Sequence, residues 1–111
     1  MSLILASLVV KLIRADLLIM LSTVDGLRDR APNGRSLRVH YIESITRNTF
    51  KLVSDGESTL SKGGMGSKLR AALTASKTGC SVVIADGKMK NVLPRVMRGD
   101  DVGTLVLASA L

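Results

Sequence analysis

At 111 residues the chain holds one domain with a modest core, and with 46% apolar but only 2% aromatic residues that core is built from Leu, Val, Ile, Ala and Met. A net charge of +7 favours anionic ligands, while the absence of a long Lys/Arg block and a stacking inventory of only Phe50 and Tyr41 disfavour nucleic acid. The single cysteine, Cys80, excludes an internal disulfide framework and fits a reducing, cytoplasmic setting.

The amino-terminal stretch from Ser2 to Met20 is apolar, but Lys11, Arg14 and Asp16 interrupt it. Each charge near the middle of a membrane span costs about 2.5–3.5 kcal/mol, and a signal peptide carries its positive charge before the apolar run rather than after it. Leu5, Leu8, Val9, Leu12 and Ile13 recur at helical spacing opposite Ser7, Lys11 and Arg14, so the stretch reads as a soluble helix with one buried side and not as a membrane segment. Leu17 to Leu21 is a continuous apolar run of strand length, ending in the polar turn Ser22-Thr23-Val24-Asp25-Gly26. The carboxyl end of such a strand is where open α/β sheets bind ligands.

Arg28 to Ser36 reads as a charged loop containing Pro32 and Gly34, Leu37 to Ile42 as a short strand, and Glu43 to Leu52 as a short helix. His40 has no Cys, Asp or second His at ligand spacing and reads as a partly exposed strand residue rather than a metal ligand or base. Ser54 to Gly64 has the polar, glycine-containing profile of a loop lying over a ligand. A helix from about Gly66 to Thr78 buries Leu69, Ala72 and Leu73 and stops at Gly79. Cys80 to Ala85 is a second buried strand. Asn91 is placed to cap a helix running to Met97 with Pro94 in its first turn, and Thr104 to Ala108 forms a last strand. Strands alternate with helices, and the composition suits buried parallel strands. The expected class is α/β, a mostly parallel sheet with helices on both faces.

The chemistry concentrates in Ser61-Lys62-Gly63-Gly64-Met65-Gly66-Ser67-Lys68-Leu69. Adjacent glycines admit positive φ and close backbone approach. A helix beginning at their end adds its orphan N–H groups and positive dipole end, with Lys68 as a cation in the first turn. Such geometry holds phosphate or carboxylate. The alternative is a glycine turn that caps a surface helix with Lys68 solvated. A Walker A loop is excluded, because the glycine spacing and the order Ser67-Lys68 are both wrong.

Three segments in order resemble one family, the amino acid kinases, and within it the glutamate 5-kinase branch. Ala15 to Leu27 is similar to the family's strand followed by a Thr/Ser-Asp-x-x-Gly-Leu turn. Gly63-Gly64-Met65-Gly66-Ser67-Lys68-Leu69 is similar to its Gly-Thr-Gly-Gly-Met-x-Thr-Lys loop. Val82 to Gly87, followed by Val102-Gly103-Thr104-Leu105, is similar to the strand and closing Gly-Thr of the kinase domain. The resemblance implies Mg2+-dependent use of ATP to phosphorylate the γ-carboxylate of L-glutamate, early in proline synthesis. It places Ser22, Thr23, Asp25 and Gly26 on one wall of the nucleotide and Lys62, Gly63, Gly64, Met65, Gly66 and Ser67 at the phosphates. Lys68 becomes the catalytic cation on the transferring phosphoryl group, with no protein metal ligand assigned.

Departures from the pattern are Thr23 where an Asp is usual, Lys62 where a small hydroxyl residue is usual, Ser61 for a glycine, Arg28 for a Tyr and Ala31-Pro32 for Asp-Pro. The resemblance also implies that residues 1–111 form one domain, the carboxyl-terminal ATP-binding half of a kinase domain whose substrate half is absent. Inactivity of the isolated chain and a homo-oligomer joined along an open sheet edge are the corresponding expectations. The readings from other classes are a non-catalytic nucleotide- or RNA-binding module and a partner subunit that completes a split kinase.

Overall fold

The computed structural model describes residues 14–30, 32–54 and 64–108. The expected amino-terminal helix, most of the expected loop before Gly64, and Ser61, Lys62 and Gly63 lie outside the described residues. In chain order the elements are β1 (Leu17–Ser22), β2 (Arg28–Arg30), β3 (Ser36–Arg38), β4 (Tyr41–Ile42), α1 (Arg47–Ser54), α2 (Met65–Ser76), β5 (Ser81–Asp86), α3 (Val92–Met97) and β6 (Gly103–Val106).

The main sheet has the order β1-β5-β6-β4. β1 and β5 run parallel in register from Leu17↔Ser81 to Ser22↔Asp86, and β4 is parallel to β6. β6 is antiparallel to β5, with Ile84 opposite Thr104 and Ala85 opposite Gly103. The sheet is therefore mostly parallel, as the composition suggests, with one reversal. That reversal brings the start of β6 to the same end of the sheet as the carboxyl ends of β1 and β5.

Alternation along the strands sorts the core into two layers. Leu18, Met20, Val82, Ile84 and Val106 pack with Leu69, Ala72 and Ala75 of α2 and with Phe50 of α1. Ile19, Val83 and Ala85 pack on the other face with Val92 and Val96 of α3 and with Val102. Helices thus cover both faces. Small residues on α2 let it lie close on β5, where Ala72, Ala75, Val82 and Ile84 are wholly buried.

Four local expectations are corrected. The charged segment after Gly26 is an antiparallel hairpin, β2 with β3, in register Arg28↔Arg38 to Arg30↔Ser36. Its turn uses Asn33, whose Oδ1 accepts the Arg35 N–H (3.0 Å), and Gly34 at φ +83°, the chemistry of a tight hairpin connection. The expected single strand from Leu37 to Ile42 breaks at Val39-His40 because β3 belongs to this hairpin and β4 to the main sheet. Asn91 precedes α3 in the left-handed region (φ 60°) and makes no side-chain cap hydrogen bond. That is a conformation Asn tolerates, but its carboxamide does not serve the helix N–H groups. The first short helix begins only at Arg47 because Thr49 Oγ1 accepts the Thr46 N–H (3.0 Å), the reciprocal half of a capping box.

Candidate functional site

The carboxyl ends of β1 and β5 lie side by side, and each continues into a polar turn. After β1, the Ser22 Oγ accepts the Val24 N–H at 3.3 Å and the Ser22 carbonyl accepts the Gly87 N–H at 2.9 Å. After β5, Asp86 Oδ1 accepts the Lys88 N–H at 2.8 Å. Ser22 is nearly buried, whereas Thr23 and Val24 are exposed and Asp25 is half-buried. Of the expected wall residues, Thr23 is thus the one that presents a hydroxyl outward, while the Ser22 hydroxyl is engaged in shaping its own turn.

Asp25 and Gly26 have structural work of their own. The Asp25 carboxylate accepts two bonds from the Arg28 guanidinium, Nη2 to Oδ2 at 2.6 Å and Nε to Oδ1 at 3.2 Å. Arg28, one of the departures from the family pattern, therefore neutralises the acidic residue of the turn. Gly26 adopts φ +145°, and a Cβ placed there would run into Thr104 Oγ1. Its lack of a side chain admits Thr104, which sits wholly buried in β6.

Of the second group of expected site residues, Gly64, Met65, Gly66, Ser67 and Lys68 are described, and they form the start of α2. Its 12 residues end at Ser76, about 18 Å from the first at 1.5 Å per residue, and β5 begins only five residues later. The six residues of β5 run back over a similar length, about 20 Å. With α2 packed along β5, the amino end of the helix is carried to the carboxyl end of the sheet, the end that holds the Ser22–Gly26 turn.

Gly64 is the N-cap residue, with φ −74° and ψ 177°, no side-chain cap and no acidic residue in the first turn. The positive φ expected of this glycine is not found; it is extended backbone. The helix starts earlier than the sequence suggests, so Met65, Gly66 and Ser67 are its first three residues and Lys68 the fourth. Ser67 and Lys68 both donate backbone N–H groups to the Gly64 carbonyl, at 3.1 and 3.3 Å. An added Cβ at Gly66 meets no described atom within 4 Å, so packing among the described residues does not demand glycine there.

A further polar cluster lies beside this end of the sheet. Arg38 Nη1 donates to Asp101 Oδ1 (2.8 Å) and to the Gly103 carbonyl (2.6 Å), and His40 Nδ1 lies 2.6 Å from Asp101 Oδ2. The hydrogen bond from Arg38, with its positive charge, holds the Asp101 carboxyl below the ordinary carboxylate range. Sequence spacing gave His40 no acidic partner; the reversal of β6 supplies one from far along the chain. His40 also borders a groove of about 300 Å³ on the α3 face, with Leu17, Val83, Val96 and Leu105, and that groove contains none of the expected site residues. Sequence reasoning gave Asp101 and Arg38 no role and quoted Thr104 only within the closing Gly-Thr motif, since nothing local to any of them signals its partner. Among the described residues no group of three His, Cys, Asp or Glu converges to hold a metal, and no helix is long and apolar enough to cross a membrane.

An open, mostly parallel sheet covered on both faces, with polar turns and a glycine-led helix start at the carboxyl ends of its strands, is the architecture of the α/β ligand-binding proteins. Among solved structures the fold is shared with the amino acid kinase fold. A carbamate kinase from Giardia lamblia, bound to AMP-PNP, superposes with a TM-score of 0.65 at 23% identity over 93% of this chain and 34% of its own. A uridylate kinase from Archaeoglobus fulgidus superposes with a TM-score of 0.63 at 18% identity over 96% of this chain and 47% of its own. The sequence profile of the amino acid kinase family matches residues 2–86, and the chain belongs to that family. Curated relatives include the glutamate 5-kinases of Syntrophotalea carbinolica, 38% identical over 105 residues, and of Teredinibacter turnerae, 40% identical over 106. These alignments cover 93% and 94% of this chain and 28% of each enzyme, so the chain spans little more than a quarter of the length of those relatives.

Proposed function

We propose that this chain is the ATP-holding part of a glutamate 5-kinase, the carboxyl-terminal half of a kinase domain that phosphorylates the γ-carboxylate of L-glutamate. The observation that carries the reading is that two structures lie at one end of the sheet: the Ser22–Gly26 turn after β1 and the glycine-led start of α2 at Gly64. The identity to glutamate 5-kinases along nearly the whole chain supports the choice of branch.

In this reading Ser22, Thr23, Asp25 and Gly26 form the wall beside the nucleoside. Lys62, Gly63, Gly64, Met65, Gly66 and Ser67 lie along the phosphates. Lys68, in the first turn of α2, neutralises charge that develops on the transferring phosphoryl group. Phosphoryl transfer asks mostly for positioning and charge neutralisation, and a helix dipole, a glycine approach and one lysine supply both. Mg2+ is usually held by one or two carboxylates together with the substrate phosphates. In this reading it arrives with the nucleotide, as the Mg-ATP complex. Placement of glutamate falls to sequence beyond the matched quarter, and positioning supplies much of the acceleration. The 111-residue chain is therefore expected to bind nucleotide without making glutamyl phosphate.

Calorimetry with Mg-ATP and Mg-ADP tests this. Wild-type chain binds selectively over other polyanions. Lys68→Ala weakens binding about tenfold or more, the size of a lost charge-assisted contact of about 1.5–3 kcal/mol. Equal affinity in the variant removes Lys68 from the site. Binding of any polyanion that collapses steeply with salt, without nucleotide preference, would instead identify a basic nucleic-acid module.

A further inference from the structure

Thr104 is a hydroxyl residue with zero exposure in a strand whose neighbours are apolar. Burying a hydroxyl is unfavourable unless it is hydrogen-bonded, and this one is bonded twice. Its Oγ1 donates to the Val39 carbonyl at 2.6 Å and accepts the Leu27 N–H at 2.9 Å. Val39 N–H in turn donates to the Leu27 carbonyl at 2.8 Å, which closes a ring of three bonds joining β6, the segment after β3 and the end of the Ser22–Gly26 turn. The missing Cβ of Gly26 is what lets the turn settle on Thr104 Oγ1.

The far end of the same turn is fixed separately, by the Gly87 N–H on the Ser22 carbonyl. Thr23, Val24 and Asp25 thus lie between two anchor points, one at Gly87 just after β5 and one on Thr104, with Val24 N–H held by Ser22 Oγ and the Asp25 carboxylate by Arg28 within the span. Valine has nearly the same shape as threonine and would fill this space in an apolar strand. It would satisfy packing but neither backbone group. The hydroxyl is therefore explained by the turn rather than by the core.

We infer that Thr104 is a positioning residue for the nucleoside wall: it fixes Thr23–Asp25 at the height from which they meet a bound nucleotide, without touching the nucleotide itself. The inference rests on the nucleotide-binding reading above.

The test uses the whole chain with Mg-ADP as one probe and pyrophosphate as the other, because pyrophosphate reads the start of α2 but not the nucleoside wall. Thr104→Val is expected to lower affinity for Mg-ADP about tenfold, the scale of one lost ordered contact. Affinity for pyrophosphate stays within about twofold of wild type, and Thr104→Ser, which keeps the hydroxyl, restores ADP binding. Should Thr104→Val fail to fold, Thr104→Cys, which keeps the volume but replaces the hydroxyl by a weak thiol donor and acceptor, is expected to give the same split between the two probes. Unchanged ADP affinity in Thr104→Val, or a parallel loss of both ligands, overturns the inference and leaves the nucleotide-binding reading standing. A wild-type chain that binds neither probe overturns both.

Discussion

Gly66→Ala separates a glycine kept for packing from one kept for a ligand. Gly66 is the second residue of α2, and an added Cβ meets no described atom within 4 Å. Alanine is the better helix former, because glycine loses more backbone entropy on folding. The substitution is expected to stabilise the chain by about 0.5–1 kcal/mol. For a domain of this size that raises Tm by about 2–4 °C. Under the proposed function the same methyl stands where a phosphate approaches the first turn of the helix, and it displaces the phosphate from the backbone N–H groups. Loss of one such charge-assisted hydrogen bond, about 1.5–3 kcal/mol, weakens Mg-ADP by about tenfold or more. Differential scanning calorimetry reads the first effect and isothermal titration the second. A variant that is more stable and binds as well as wild type refutes the placement of phosphate at Gly66. A variant that is less stable refutes the claim that the space is open.

Gly103→Ala is the contrasting case: its Cβ would run into the Ile84 carbonyl across the β5–β6 pair, where neither backbone can give way. Overpacking of about 1–3 kcal/mol lowers Tm by about 4 °C or more, and an unchanged melt would contradict the close strand approach. Cys80 has zero exposure, and burial, reinforced by the Asp16 charge, pushes its thiol above the ordinary range. A thiol reagent at pH 8 is expected to modify it in denaturant but only slowly in the native chain; rapid native labelling would show that the floor of β5 is open. Asp101, held low chiefly by its hydrogen bond from Arg38, contributes stability above its unfolded pKa of about 3.9 and loses it as pH falls through the depressed folded value. The stability gap between wild type and Asp101→Asn in denaturant titrations therefore narrows from pH 6 to pH 3, and a gap independent of pH would rule out the clasp.

Within the sequence itself lay the elements whose information is local. The run Leu17–Leu21, and the run from Cys80 to Ala85 broken only at Ser81, suit strands buried on both faces, and both are strands within a residue or two; β5 is largely buried, whereas β1 ends the described strand order and leaves Leu21 half exposed. The spacing of Leu69 and Ala72 dictated a helix, and the glycines before it marked where its orphan N–H groups begin. The tertiary structure alone decided how these pieces meet. Arg28-Asp29-Arg30 carries no apolar signal and becomes a strand only because Arg38, Leu37 and Ser36 lie opposite. Asn91 looked like a cap and is turned away by its own left-handed backbone. Arg38 and Asp101 are 63 residues apart, and Thr104 is 77 residues from the Leu27 N–H it accepts. Hydrogen bonds of that kind follow from the antiparallel entry of β6, which returns Gly103-Thr104 to the end of the sheet where β1 finishes. No periodicity encodes such a return, because the backbone groups that Thr104 satisfies are chemically the same in every residue, and only the packed sheet selects which of them it reaches.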